Sequence, residues 1–246
     1  GSPEGPFHAS GAQVVKTALV HDYLVQYGGA ERVLEEVHGL FPEAPVYTSI
    51  YDPALMPAPY RDWDIRTTWL QRMPGASKRF RQLMPLYPWA WESLDLTGYD
   101  TVISLSSGLC LGVLTPPETL SICYCHTPAR FLWNYHEYVR REGMGRARQR
   151  AVSLLLPYLR TWDRAAADRV DHFIANSSIV QRRIAKFYRR DSVVIHPPAD
   201  VSRFEPSDSY DDYYLVLSRL IPYKRLDLAI EAANRLKVRL VIAGSG

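Results

Sequence analysis

Short apolar segments typical of buried strands alternate with helix-like segments from residue 16 onward, and this alternation constrains the fold more than any other feature. Strands joined in this way run parallel, because each connecting helix returns the chain to the same edge of the sheet. The pattern therefore predicts an α/β chain in which helices cover a parallel sheet. The predicted strands of the first part are residues 17–21, 46–50, 62–70, 101–105, 120–125, 172–175 and 193–196.

Within the first 197 residues, helical periodicity is clearest directly after the first strand and in the second half. Apolar residues recur at helical spacing from Val33 to Leu40, directly after a pair of glycines. A long helix is predicted from Arg148 to Arg169 with an interruption at Pro157, because proline lacks a backbone donor and crowds the preceding turn. Another helix is predicted to begin at Ser178.

A polar, proline-containing linker at residues 198–212 divides the chain. Before it we expect a disordered leader at residues 1–13, without the basic and apolar parts of a secretory signal, and a domain at residues 14–197. After it, residues 213–246 hold one strand–helix–strand unit. A unit of about 30 residues cannot bury its own apolar face, so we expect the incomplete start of a second domain. Its predicted elements are a strand at 214–217, a helix at 226–236 and a strand at 240–243.

Composition excludes several classes of protein. The 29 basic and 26 acidic residues nearly balance, which argues against a nucleic-acid-binding protein. No apolar run approaches the ~20 residues that a membrane span needs, and we expect a cytoplasmic location. The cysteines Cys110, Cys123 and Cys125 lack a second Cys/His pair at zinc-ligand spacing, so we expect them to be small buried residues.

Two candidate binding sites in the first part of the chain follow predicted strands. Gly28 and Gly29 lie between the first strand and its helix, where the backbone can approach a ligand and the helix start can attract an anion. The same pair is also typical of a simple tight turn. His126 follows the strand at 120–125, at the sheet edge where open parallel sheets bind ligands. It could bind a hydroxyl or carry a proton there, or merely cap the next segment.

Two basic features complete the candidate sites. Arg219 and Lys224 flank the turn after the strand at 214–217, where two cations suit a diphosphate, although an exposed basic turn has the same pattern. Residues 66–91 mix arginines and lysines with tryptophans and other large apolar residues. Such a segment suits an anionic membrane surface, and a helix packed on the sheet with solvated arginines would explain it equally.

Five motifs in order resemble the family 4 glycosyltransferases, and most closely a bacterial subgroup that includes mannosyltransferases of surface-polysaccharide assembly. The resemblance covers roughly residues 17–246. Its motifs are HDYLVQYGGAERV, YCHTPARFLW, ANSS, VIHPPADVSRF and LSRLIPYKRLDLAIEA.

The resemblance implies a GT-B fold, in which an acceptor-binding and a nucleotide-sugar-binding Rossmann-like domain face each other across a cleft. It implies transfer of a hexose, mannose from GDP-mannose in this subgroup, to a glycan or lipid-linked acceptor with retention and without a bound metal or other cofactor. If residues 66–91 bind an anionic membrane, we expect the cytoplasmic protein to be peripheral on the inner face of the plasma membrane. The implied site residues are Gly28, Gly29, Arg219 and Lys224 for the donor, Glu31 for the acceptor, and catalytic His126 for the transferred sugar.

The sequence departs from the family pattern in two places. Residues 196–200 read HPPAD where many relatives have PNGVD, which leaves the role of that turn open. The sequence also stops at Gly246, before the paired glutamates that hold the donor in this family, so we expect the 246-residue chain alone to be inactive. A non-catalytic Rossmann-like module that binds a sugar lipid or a nucleotide remains an alternative. A nucleotide-dependent dehydrogenase or epimerase would need a GxGxxG motif after Val20, which the sequence lacks.

Overall fold

A computed structural model of the chain describes residues 15–135, 139, 145–199, 201, 205, 208–220 and 224–244. The chain divides into two compact units, the first drawn from residues 1–133 and 154–198 and the second from 134–153 and 199–246. The leader predicted at residues 1–13 and part of the predicted linker lie outside the described residues.

The first unit is built on a sheet of seven parallel strands in the order β3-β2-β1-β4-β5-β6-β7. This confirms the predicted α/β fold with a parallel sheet. The strand order reverses between β1 and β4, which creates a switch point at their carboxyl ends. The strands are β1 Thr17–His21, β2 Val46–Thr48, β3 Ile65–Thr67, β4 Thr101–Ser106, β5 Leu120–Cys125, β6 His172–Ala175 and β7 Val193–Val194.

Helices of this unit cover both faces of the sheet. Side chains of successive strand residues point to opposite faces, so Tyr124 packs with α1 residues in one core cluster, while Cys123 and Cys125 pack with α5 and α6 residues in the other. The two clusters are separate, and the sheet lies between them. The helices are α1 Gly29–Leu40, α2 Ala76–Arg79, α3 Tyr87–Glu92, α4 Arg130–Trp133, α5 Arg146–Asp168 and α6 Ser178–Phe187. Residues 146–153 of α5 belong to the second unit, and the rest of this helix belongs to the first.

Helix α5 runs through Pro157 without a break, so the predicted interruption is wrong. Proline removes one backbone hydrogen bond and costs about 3 kcal/mol inside a helix. Leu156 and Leu159 on either side are nearly fully buried, and their packing holds the turn in helical form. Here tertiary contacts outweigh the local preference.

The third predicted strand, residues 62–70, is too long by six residues, since β3 covers only Ile65–Thr67. The hydroxyl of Thr68 accepts a hydrogen bond from the backbone N–H of Leu70 and begins a short 3-10 turn at Trp69–Arg72. Backbone pairing continues to the N–H of Thr68, which donates to the carbonyl of Thr48, and the side-chain bond then turns the chain out of the strand. Strands β2 and β7 likewise end two residues earlier than predicted.

The second unit contains a parallel strand pair, β8 Tyr214–Leu217 and β9 Leu240–Ala243, joined by helix α7 Leu226–Leu236. These bounds match the predicted strand–helix–strand unit. Leu217 and Leu228 remain 77% and 50% exposed, so within the described residues the apolar faces of this unit are uncovered.

Candidate functional site

The carboxyl ends of three adjacent strands, β1, β4 and β5, bring two histidines together at one edge of the sheet. His21 ends β1 and pairs in register with Leu105 of β4. His126 follows β5, whose last residue pairs with Ser106 at the end of β4. Both histidines therefore lie at the switch point, where open parallel sheets bind ligands.

Glu31 lies at the third position of α1, and its side chain is buried. Its Oε1 lies 3.4 Å from Nε2 of His21. Burial raises the pKa of Glu31, but hydrogen bonds from His21 and from the backbone N–H groups of Glu31 itself and Gly28 outweigh this effect, so the pKa lies below its usual value. An ionised carboxylate thus occupies the positive start of α1, as in a capping box.

The two glycines before Glu31 differ in their surroundings. A Cβ atom added at Gly28 would lie 3.4 Å from Oε2 of Glu31, whereas one added at Gly29 would meet nothing within 4 Å. The backbone of Gly29 is therefore the more accessible of the two to a bound group.

Asp22 organises this edge of the sheet, a role that the sequence motifs do not predict for it. Its Oδ2 accepts hydrogen bonds from the backbone N–H of Ser107 at 2.6 Å and from the Ser107 hydroxyl at 3.1 Å. Its Oδ1 accepts the backbone N–H groups of Leu109 and Cys110, both at 2.9 Å. One carboxylate therefore fastens the loop after β4 to the end of β1. The acidic residue directly after the first strand was the available signal, but its partners lie more than 80 residues away.

The backbone of His126 is held on both sides. Its N–H donates to the carbonyl of Ser106 at 2.8 Å, and the side-chain amide of Asn176 donates to its carbonyl at 3.0 Å. Asn176 is the second residue of the ANSS motif, so this contact explains what the asparagine of that motif does. Ser177 then caps helix α6 by accepting from the N–H of Val180.

The imidazole of His126 is neutral at physiological pH. Burial, and to a lesser degree the neighbouring His21, lower its pKa to about 4 against the opposing charges of Asp22 and Glu31. Its Nε2 is buried and has no hydrogen-bond partner among the described residues. A neutral ring offers one donor and one acceptor nitrogen, which suits the binding of a hydroxyl.

Arg219 and Lys224 belong to the second unit. Arg219 lies in the segment after β8, Lys224 lies two residues before α7, and both are exposed. The structure thus brings Gly28, Gly29, Glu31 and His126 together in the first unit and places the two cations in the second.

Residues 66–91 do not form the single packed helix that was one of the two interpretations. They form short turns and helices, with Leu70, Phe80 and Trp91 buried. Trp69 and Trp89 are 40% and 58% exposed. The exposed basic residues of the segment are Arg66, Arg72, Lys78, Arg79 and Arg81.

No helix within the described ranges is both long and apolar enough to cross a membrane. The three cysteines are buried and make no disulfide.

Two comparisons with known proteins bear on the family and the fold. Residues 27–203 match Glycosyltransferase Family 4. The fold is similar to that of HepE from Anabaena, crystallised in complex with UDP and glucose, with a TM-score of 0.59 and 16% sequence identity over 94% of this chain. The chain spans 61% of the HepE chain. A search of curated protein sequences gives no match. The family match covers well over half of the sequence, and the chain therefore belongs to glycosyltransferase family 4.

Proposed function

We propose that the chain is the acceptor-side part, with the first piece of the donor-side domain, of a retaining hexosyltransferase that uses a nucleotide-diphosphate sugar. The observation that carries this proposal is the neutral, buried imidazole of His126 at the switch point of the sheet, with an Nε2 that no described residue satisfies. Buried polar groups are normally hydrogen-bonded, so a vacant one at a ligand-binding edge indicates a substrate group.

In this proposal the transferred sugar presents a hydroxyl to His126. The diphosphate of the donor approaches the open backbone of Gly29. Glu31 contributes to binding of the acceptor. Its carboxylate contacts Nε2 of His21 and so fixes the position of that imidazole at the carboxyl edge of the sheet. These roles follow the family motifs, and the geometry of the first unit supports them.

The leaving diphosphate is neutralised by Arg219 and Lys224 in the proposed reaction. Two fixed cations can stabilise developing negative charge on a leaving phosphate as a metal ion would. HepE was crystallised with UDP and glucose, which supports a nucleotide-sugar donor here. By the resemblance to its subgroup we propose GDP-mannose as that donor and a glycan or lipid-linked acceptor of polysaccharide assembly.

We further propose that the 246 residues alone do not transfer sugar. They span 61% of HepE, and the second unit shows a single strand–helix–strand unit among its described residues. A titration of the purified chain with GDP-mannose and UDP-glucose, combined with a product assay, tests this directly. Micromolar donor binding with turnover would contradict it. Donor binding without turnover in the whole enzyme that this proposal assumes would favour the non-catalytic binding module.

The assigned roles are tested by substitution in the whole enzyme to which, in this proposal, the chain belongs. We expect Lys224→Ala to weaken transition-state stabilisation by about 2–4 kcal/mol, because it removes a charge-assisted contact to phosphate. Arg235→Ala, an exposed cation on α7, and His172→Ala, an exposed histidine at the start of β6, are matched controls. If His126→Ala and Lys224→Ala transfer sugar within a few-fold of these controls, the assignments are wrong.

We also propose that residues 66–91 bring the protein to the inner face of the plasma membrane. The exposed Trp69 and Trp89 and the exposed arginines of this segment support the proposal, since each basic residue near an anionic surface contributes roughly 1 kcal/mol. Sedimentation should show binding to anionic vesicles that decreases with salt, and equal binding to neutral vesicles would contradict the idea.

A further inference from the structure

A cavity of about 410 Å³ lies beside the carboxyl end of β3, and none of the donor, acceptor or catalytic roles described so far uses it. Its size falls within the ~300–1,000 Å³ range of small-molecule sites. Polar and charged side chains dominate its lining, which includes Thr67, Gln71, Arg72 and Ser93 beside the single aromatic residue Trp69. This mixture of hydroxyls, an amide and one ring suits a saccharide better than an apolar ligand.

Two side chains of the lining are available to a ligand. Trp69 leaves 40% of its surface exposed, although a large aromatic side chain is normally more deeply buried. The guanidinium of Arg72 makes no ion pair or hydrogen bond with any other described residue, and no acidic residue lines the cavity. By contrast, the guanidinium of the nearby Arg66 is occupied by the carboxylate of Asp64.

The walls around these two side chains are held in place. The amide of Gln71 makes two hydrogen bonds to the backbone of Tyr51, accepting its N–H at 2.8 Å and donating to its carbonyl at 3.1 Å. The hydroxyl of Thr68 donates to the carbonyl of Ser49 at 3.0 Å and accepts from the 3-10 turn. A site built before the ligand arrives loses less entropy on binding.

The same bonds connect the cavity to the candidate site. The hydroxyl of Ser49, whose carbonyl holds Thr68, donates to the carbonyl of Asp22. Asp22 directly follows His21 and fastens the loop after β4. The cavity therefore lies at the carboxyl edge of the same sheet, on the β3 side of the switch point.

We propose that this cavity binds an anionic saccharide residue of the acceptor, with Trp69 packing on the sugar ring and Arg72 pairing with its carboxylate or phosphate. The guanidinium fork matches both kinds of oxyanion. The inference deepens the proposed function, because it names the chemical class of an acceptor residue.

The test is a ligand-observed NMR titration of the 246-residue chain with methyl glucuronide, glucose 1-phosphate, methyl glucoside and inorganic phosphate. We expect millimolar binding of one or both anionic sugars, about tenfold tighter than binding of the neutral glucoside. Arg72→Gln should remove this preference, and Trp69→Ala should weaken binding of all the sugars while Trp69→Phe retains most of it. Arg79→Gln and Trp89→Ala change an exposed cation and an exposed ring of the same segment outside the cavity, and should leave the titrations unchanged.

Several results would overturn the proposal. Equal effects of Arg72→Gln and Arg79→Gln would indicate a diffuse surface charge, and inorganic phosphate binding as tightly as the sugar phosphate would indicate a simple anion site. The absence of binding for every sugar, with vesicle binding intact, would leave the membrane as the ligand of this segment. The titration contains no donor and requires no sugar transfer, so saccharide binding can be observed even if the proposed transfer reaction is wrong. Equally, a failure of saccharide binding in the cavity would leave the proposed transfer reaction untouched.

Discussion

The replacement of Asp22 by asparagine tests whether one carboxylate holds the loop after β4. The change keeps the shape of the side chain but turns one oxygen into an NH₂ group, which cannot accept a hydrogen bond. The less costly rotamer keeps the oxygen opposite Leu109 and Cys110 and turns the NH₂ toward Ser107, whose hydroxyl can rotate to accept. The backbone N–H of Ser107, now 2.6 Å from an oxygen, then loses its partner.

The expected cost follows from these contacts. A buried N–H without a partner costs about 1–3 kcal/mol, and the two remaining hydrogen bonds lose the strengthening that a charged acceptor provides. We therefore expect Asp22→Asn to lower the free energy of unfolding of the first unit by about 2–4 kcal/mol.

Urea titration followed by tryptophan fluorescence measures this change. All six tryptophans lie in the first unit, so the signal reports on that unit alone. Asp95→Asn is the matched control, because the exposed Asp95 bonds only to Thr97 beside it in the sequence. The control should keep the parent midpoint.

A second substitution checks that the effect arises at this contact. A Cβ atom at Gly108 would lie 2.9 Å from Oδ1 of Asp22 and would displace the carboxylate. Gly108→Ala should therefore destabilise the parent more than it destabilises Asp22→Asn, a coupling that independent sites would not show. A midpoint for Asp22→Asn equal to that of the Asp95 control would refute the reasoning.

Three further predictions concern buried groups of the first unit. Burial raises the pKa of Asp163 to about 7 against hydrogen bonds from Trp133 and Tyr188. The stability that the protonated Asp163 contributes to the folded state is therefore fully present below the pKa of the unfolded chain and is lost as pH rises through about 7. Asp163→Asn should remove this loss of unfolding free energy between urea titrations at pH 6 and pH 8. Because the pKa of His126 is lowered to about 4, its imidazole ¹⁵N signals should not titrate between pH 5.5 and 8. The free energy of unfolding should fall as pH drops from about 6.5 to 4, and it should fall less in the His126→Gln variant. A Cβ atom at Gly112 would lie 2.1 Å from the Trp162 ring, so Gly112→Ala should destabilise by about 1–3 kcal/mol in the same assay, unlike Gly39→Ala, where the added atom meets nothing.

Local sequence pattern was sufficient for most elements of the fold. The bounds of β1, β5, β6, β8, β9 and α7 agree with the predictions, because each is a compact apolar run or an amphipathic repeat bounded by turn residues. The position of His126 at a sheet edge also followed from the sequence, since a residue directly after a parallel strand must lie there. The motifs supplied the family, which the match over residues 27–203 confirms.

Only the tertiary structure determined how those edge residues are held. Asp22 and the Ser107–Cys110 loop are distant in sequence, and no local pattern shows that strand order places β4 beside β1. The same holds for Pro157, where burial of neighbouring leucines keeps a helix that local preference would interrupt. The sequence thus determines which segments become strands and helices, because that choice depends on neighbours along the chain. The partner of each buried polar group depends on strand order and packing, and these bring distant segments together.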